Sequence, residues 1–253
     1  MSMPSQTPLT WKVLAKTHWR GRVLAQHTHS TNQLLFATQG VLQVITDTGQ
    51  WTVPPQRALW IPAGVAHAVM ALSDTEMRTV YFSQHTGRLQ NDQVHVVRPH
   101  ALMHALILAL FDPQHRDGTQ ELMAQLLHQL VASSKEPGCY LPVPRDPKLM
   151  RAAAWLMNHR QWDLSVTDVA AHVGMSERSF TRHFKAEVGC SFRQWRQRAR
   201  IVSTLDHLVM GDSVKQLADK AGFASASAYI AAFKDVAGCT PMQFAVQSRL
   251  DPG

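Results

Sequence analysis

Cysteine is scarce in this chain: Cys139, Cys190 and Cys239 are the only three in 253 residues. The odd count and wide spacing argue against a disulfide framework or a CxxC metal clip, so free thiols are expected. Long apolar runs are missing as well. The most apolar stretch, Ala101 to Phe111, is too short to cross a bilayer and is interrupted by His104. Residues 1–10 lack the basic and apolar blocks of a secretion signal. A cytoplasmic chain with no membrane partner is expected. With 45% hydrophobic and 17% charged residues the composition is neither acidic low-complexity nor collagen-like, so the chain should fold. At ~100 to 200 residues per domain its length suggests about two domains.

The charge that is present is unevenly shared. Residues 141–253 hold 15 of the 25 Lys/Arg against 10 of the 18 Asp/Glu, whereas residues 1–140 hold 10 of the 14 histidines. A basic half suggests a polyanionic partner, and a histidine-rich half suggests metal or pH chemistry.

Between about Asn32 and Phe82 the pattern is that of short strands. Leu34 to Phe36 precede Gly40; Val41, Gln43 and Ile45 alternate before the turn Asp47-Thr48-Gly49; Trp51 and Val53 precede Pro54-Pro55; Ala58 to Ile61 stops at Pro62. Such strands imply a sandwich or small barrel. The period then changes to helical over Ala101 to Phe111 and Thr119 to Ser134, where Leu122, Leu126, Leu127, Leu130 and Val131 form one stripe. That stripe is either core or a dimer face. Prolines 137, 142, 144 and 147 follow closely, and the domains are drawn as 1–136, a linker 137–147, and 148–253.

The second domain is helical and contains a repeat. Ser165, Val166, Ala170 and Gly174 recur 48 residues on as Ser213, Val214, Ala218 and Gly222. After one extra residue, Ser176, Phe180, Phe184, Lys185, Gly189 and Cys190 recur as Ser225, Tyr229, Phe233, Lys234, Gly238 and Cys239. Ser165 and Ser213 suit N-caps, with Asp168 and Gln216 placed to complete capping boxes. Gly174 and Gly222 suit a turn with positive φ, and Ser176 and Ser225 cap the next helix. Each copy is therefore a helix-turn-helix.

The face opposite the aromatic pair decides what such a unit can do. At about 100° per residue, Arg178, Thr181, Arg182 and Lys185 lie roughly 100° to 200° from Phe180, a basic stripe suited to the major groove. Such a stripe can also be only a solvated face; the capped turn and the duplication favour DNA. The equivalent positions of the second copy, Ser227, Ile230, Ala231 and Lys234, are nearly uncharged, so the two readers are unequal. Phe192 to Met210 is predicted to be one long helix spacing them, with Trp195, Ala199, Val202 and Val209 inward. Arg193, Arg196 and Arg200 form an outward row for phosphates or solvent, with Arg200 alternatively locking the two subdomains together. The expected DNA-contacting set is Ser176, Arg178, Thr181, Arg182, Lys185, Arg196, Arg200, Ser225, Ser227, Ala231 and Lys234.

Residues from about 148 to 248 resemble the DNA-binding domain of the AraC/XylS family of bacterial transcription regulators. The resemblance rests on Val169-Ala170, Gly174-Met175-Ser176, Phe184-Lys185, Gly189, Arg200, Ala218, Gly222-Phe223, Phe233-Lys234 and Gly238-Cys239-Thr240-Pro241. The chain departs from the family pattern at Ile230, Ala231 and Ala245, where an aromatic and two arginines are usual. These departures weaken the second reader.

In the first half, Gly21-x5-His27-x-His29-x3-Gln33-x6-Gly40 is followed by Pro62-x-Gly64-x2-His67. In a strand His27 and His29 share a face, and three imidazoles with one carboxamide oxygen make a plausible site for Zn, Ni, Fe or Mn. The spacings resemble the two cupin motifs, with Gln33 in place of glutamate, Gln56 in place of the second motif's first glycine, and Ala71 in place of its final asparagine. A cupin-like barrel is also the sensor domain the family resemblance implies. The other reading is an organic effector bound without metal, with Trp51 and Trp60 as pocket walls or plain core.

The fold class expected is a multidomain α and β chain: a cupin-like β-barrel with following helices, then an all-α domain with two helix-turn-helix units. The function expected is a dimeric, non-enzymatic regulator that binds double-stranded promoter DNA and senses a small molecule or a metal. The competing class is a cupin metalloenzyme, a dioxygenase or isomerase, with a helical appendage, although no general acid or base stands out near the histidines. A metal-storage or purely structural DNA protein fits poorly with unequal readers.

Overall fold

The computed structural model describes residues 10–55, 57–83, 93–115, 118–134 and 140–249, which leaves Gln56 and Cys139 outside the described residues. The elements are, in chain order, β1 (Trp11–His18), β2 (Val23–His27), β3 (Asn32–Gln39), β4 (Leu42–Thr46), β5 (Gly49–Val53), β6 (Ala58–Ile61), β7 (His67–Ala71), β8 (Thr75–Phe82) and β9 (His95–Val97). Helices α1 (Ala101–Ala109) and α2 (Thr119–Ser133), strand β10 (Tyr140–Pro142), and helices α3 (Pro147–His159), α4 (Val166–His172) and α5 (Glu177–Val188) come next. The chain continues with α6 (Phe192–Val202), α7 (Leu205–Met210), α8 (Val214–Lys220), α9 (Ala226–Ala237) and α10 (Pro241–Arg249). The described residues divide into two compact units, one within 1–42, 53–136 and 247–253, the other within 43–52 and 137–246.

In the first unit a five-stranded sheet runs in the order β1-β8-β3-β6-β9. Strand alternation gives it two faces with different tasks. Leu34, Phe36, Ala58, Trp60, Val80, Phe82 and Val97 pack on Met103, Ile107, Ala124, Leu127 and Val131 of α1 and α2. The opposite face carries Lys12, Gln33 and Tyr81 in one cross-strand row. Strands β2 and β7 of the second sheet pair antiparallel, with His27 opposite His67. Two antiparallel sheets give this region the cupin-like jelly roll that its spacings imply. Gly40 is required at its turn: its φ is +75°, and a Cβ there would lie 2.1 Å from the Asp74 carbonyl oxygen.

The leucine stripe of α2 divides. Leu127 and Val131 are buried, whereas Leu122 and Leu126 stay 67% and 41% exposed. Trp60 is core against α1 and α2, on the sheet face away from Gln33, because its register partner Leu34 points there. That is the plain-core role.

In the second unit the expected linker contains structure. β10 pairs with β5, Tyr140 stacks on Trp51 at 4.0 Å, and Asp146 caps α3 by accepting from the Lys148 and Leu149 amides. Trp51 is thus covered by Tyr140, and by compactness residues 43–52 group with the second unit. The long helix expected over 192–210 is two. Thr204, buried, turns its hydroxyl back on the Ile201 carbonyl at 2.7 Å and meets the Tyr229 hydroxyl at 2.9 Å, and the chain bends there.

Candidate functional site

Both copies of the repeat fold as the capping chemistry dictates. Ser165 with Asp168 and Ser213 with Gln216 form complete capping boxes at the starts of α4 and α8. Ser176 and Ser225 accept from the Ser179 and Ala228 amides at the starts of α5 and α9. Gly174 and Gly222, both at φ +66°, make the turns. Phe180, Phe184, Tyr229 and Phe233 are wholly buried. Fixing the apolar pair of each second helix fixes what points outward.

On α5 the outward residues are Arg178, Arg182 and Lys185, all exposed, with Thr181 partly so and its hydroxyl donating to the Glu177 carbonyl at 2.9 Å. Among the described residues no ion pair occupies these three cations. Glu177, the acid at the helix start, accepts instead from the Thr167 hydroxyl. The cations remain open to phosphate or base edges. On α9 Ser227, Ile230, Ala231 and Lys234 are exposed and offer one charge among them.

The arginine row of α6 does not stay outward. Arg193 is exposed, but Arg196 donates to the Leu164 carbonyl at the entry to α4, and Arg200 donates to the Ala221 and Gly222 carbonyls at the end of α8. The Arg200 guanidinium also lies 3.8 Å from the centre of the Phe223 ring. The reason is periodicity: positions 196 and 200 flank the buried Phe192, Trp195 and Ala199, within reach of carbonyls that helix ends and turns leave without donors. One helix therefore grips both units, through side chains four residues apart.

In the first unit the rings of His27, His29 and His67 converge, with centroids 4.5 to 5.4 Å apart and one candidate ligand atom from each within 4.8 Å of the others. Their tautomers follow from their partners. A carbonyl can only accept, so His27 Nδ1, 2.7 Å from the Ala25 oxygen, and His67 Nδ1, 2.9 Å from the Val65 oxygen, carry the protons in the neutral rings. Their Nε2 lone pairs are left bare. His67 Nε2, His29 Nε2 and Gln33 Oε1 are all buried without a hydrogen-bond partner among the described residues. Burial lowers the pKa of His29, helped by the neighbouring His27, His67 and Lys12 charges; burial also lowers that of His67, against the Val65 hydrogen bond. Three converging imidazoles, two of them resisting protonation, suit a first-row dication. Gln33 stands beside Tyr81 in the register, and the Tyr81 ring lies 5.0 Å from His29.

Residues 13–131 match the family described as AraC-like ligand binding domain, and residues 169–247 match the family described as Helix-turn-helix domain. The chain belongs to the AraC family of transcription regulators. It is a DNA-binding regulator with a ligand-binding domain. The HTH-type transcriptional regulator NimR of Escherichia coli K12 is 29% identical over 222 residues, covering 86% of this chain and 81% of NimR. The regulatory protein PocR of Salmonella typhimurium LT2 is 33% identical over 107 residues, 42% of this chain and 35% of PocR. A solved structure of ToxT from Vibrio cholerae aligns with 94% of this chain and 98% of its own at 10% identity and a TM-score of 0.41. The named relatives of this AraC-family chain are regulators, and none of these matches points to a cupin enzyme. Among the described residues no helix is long and apolar enough to cross a membrane.

Lys12 and Tyr81 escape the reading of this AraC-family sequence. They reach the histidines through the pairing of β1, β8 and β3, and no local spacing encodes that register.

Proposed function

We propose that this regulator binds double-stranded promoter DNA through α5 as principal base reader and α9 as a weaker one. Arg178, Arg182 and Lys185 supply charge and hydrogen-bonded readout, with Ser176 and Thr181 beside them. Ser225, Ser227, Ala231 and Lys234 supply methyl contacts and one phosphate contact. Arg196 and Arg200 serve the interface by holding the two units through their hydrogen bonds to the Leu164, Ala221 and Gly222 carbonyls. The observation that carries this reading is the exposed, unpaired cationic face of α5, set opposite a wholly buried phenylalanine pair. Footprinting of DNA upstream of the chain's own and neighbouring genes tests it: a short protected site is expected, and no protection on any fragment contradicts it.

The sensor reading is a first-row dication, Zn, Ni, Fe or Mn, held by His27, His29 and His67 with Gln33 as a fourth neutral donor. The bare Nε2 atoms and the buried unpartnered Gln33 oxygen support it over a purely organic pocket. A bound dication supplies a Lewis-acid centre that can attract an electron-rich ligand. Removing His29 and His67 together should abolish metal in elemental analysis of the purified protein; unchanged stoichiometry contradicts the assignment.

Effector binding would shift the population competent for DNA in a cytoplasmic homodimer. The exposed Leu122 and Leu126 of α2, four residues apart on one side of the helix, are the surface we assign to the second copy.

A further inference from the structure

We infer that Glu187 is a positioning residue for DNA recognition: from the back of α5 it clasps the chain segment 140–146, and the place of that segment sets the place of the principal reader. This rests on α5 as the helix that meets the duplex, and adds a residue that acts on it without touching DNA.

Glu187 stands in the last turn of α5, seven positions after Phe180. At about 100° per residue that returns it to within ~20° of the buried ring, on the side turned away from Arg178, Arg182 and Lys185. A carboxylate at that end of a helix stands against the helix dipole, so α5 alone does not favour it. Its partners account for it. Glu187 Oε1 accepts from the Arg145 amide at 2.5 Å and from the Asp146 amide at 2.7 Å, and Asp146 is the cap of α3. From α6, the buried indole of Trp195 donates to the Pro142 carbonyl at 2.7 Å. The same segment is tied to residues 47 and 48. The Thr48 carbonyl accepts from the Tyr140 hydroxyl at 2.8 Å and the Val143 amide at 3.3 Å, and Arg145 pairs with Asp47 at 3.3 Å.

The duplicated unit shows that a helix-turn-helix of this kind does not itself need these groups. At the offset of 49 that relates Phe180 to Tyr229 and Gly189 to Gly238, Glu187 becomes Val236 and Trp195 becomes Phe244. Both replacements are buried, and neither side chain carries a nitrogen or an oxygen. The second copy folds around carbon where the first presents an acceptor and a donor. The carboxylate and the indole N–H therefore serve the segment 140–146, which arrives at the first copy. A carboxylate that accepts two successive amides makes charge-assisted bonds and fixes the direction of the chain as well as its place. Movement of the segment must then be matched by movement of α5, or the bonds break.

Competition binding with the purified full-length chain, against single-base variants of the protected duplex, is the test, and Arg182→Ala first marks the base pairs that α5 reads. Glu187→Ala is expected to weaken binding about tenfold and to relax preference at those same base pairs, since a misplaced arginine forfeits its paired bonds to guanine. Glu187→Gln keeps an accepting oxygen and should stay within about twofold of the parent. An alanine variant that melts earlier but discriminates bases as the parent does would make Glu187 a merely structural residue and overturn the inference. Equal losses in the alanine and glutamine variants, or relaxed preference at every base pair alike, overturn it too. Should Glu187→Ala fail to fold, Arg145→Pro takes away one amide donor and leaves α5 unaltered. It should relax the same base pairs while Arg145→Ala does not, and identical binding by the two overturns the inference. If the parent protects no duplex, or Arg182→Ala changes no preference, the assignment of α5 as reader fails and the inference falls with it.

Discussion

Arg182 and Ala231 hold equivalent positions in the two copies of the repeat, both exposed, and in the proposed interface the difference between them sets the division of labour. A guanidinium can give two parallel hydrogen bonds to guanine, whereas a methyl can only touch thymine. Arg182→Ala is expected to cost ~1 to 3 kcal/mol and to relax specificity at one or two base pairs, while Ala231→Ser should do much less. Competition binding against single-base variants of the protected site measures both, and equal losses would contradict the asymmetry. At this scale the sequence was legible wherever chemistry depends on near neighbours. Ser165 and Asp168 are three residues apart, His27 and His29 two, and both relations survive in space. Lys12 and Tyr81 are 69 positions apart and meet only through strand pairing, so spacing could not join them.

At the scale of elements, the repeat was readable because each helix declares its own start and turn. The exceptions have tertiary causes. The break between α6 and α7 comes from Thr204 and its contact with Tyr229 on another helix, which no periodicity in 192–210 announces. Arg196 and Arg200 turn inward because carbonyls from distant segments wait there. If Arg200 sets the second unit against α6, Arg200→Met should widen the range of half-site spacings that the protein accepts. Removing its donors from the Ala221 and Gly222 carbonyls should also cost about 1–3 kcal/mol of stability. Binding to a series of duplexes with altered spacing, beside a denaturant melt, separates the two effects. An unchanged spacing optimum in the destabilised variant would leave Arg200 a merely structural residue.

For the whole molecule, one chain carries two chemistries that composition already separates, histidine in the first half and net positive charge in the second. The boundary between them was less legible. Hairpin 43–52 reads as barrel sequence, yet it counts with the helical unit, where Tyr140 covers Trp51. The proposed assembly through α2 has its own test: Leu122→Glu should shift sedimentation from dimer to monomer, and an unchanged dimer would place the contact elsewhere. The central claim is that the cationic face of α5 meets a duplex. Its most direct test is the affinity for the protected promoter duplex as a function of salt, for the parent chain and for Arg178→Ala with Lys185→Ala. Log affinity should fall linearly with log salt, and the double variant should lose roughly one unit of slope for each phosphate contact removed. A double variant with the parent's affinity and the parent's slope would contradict the account.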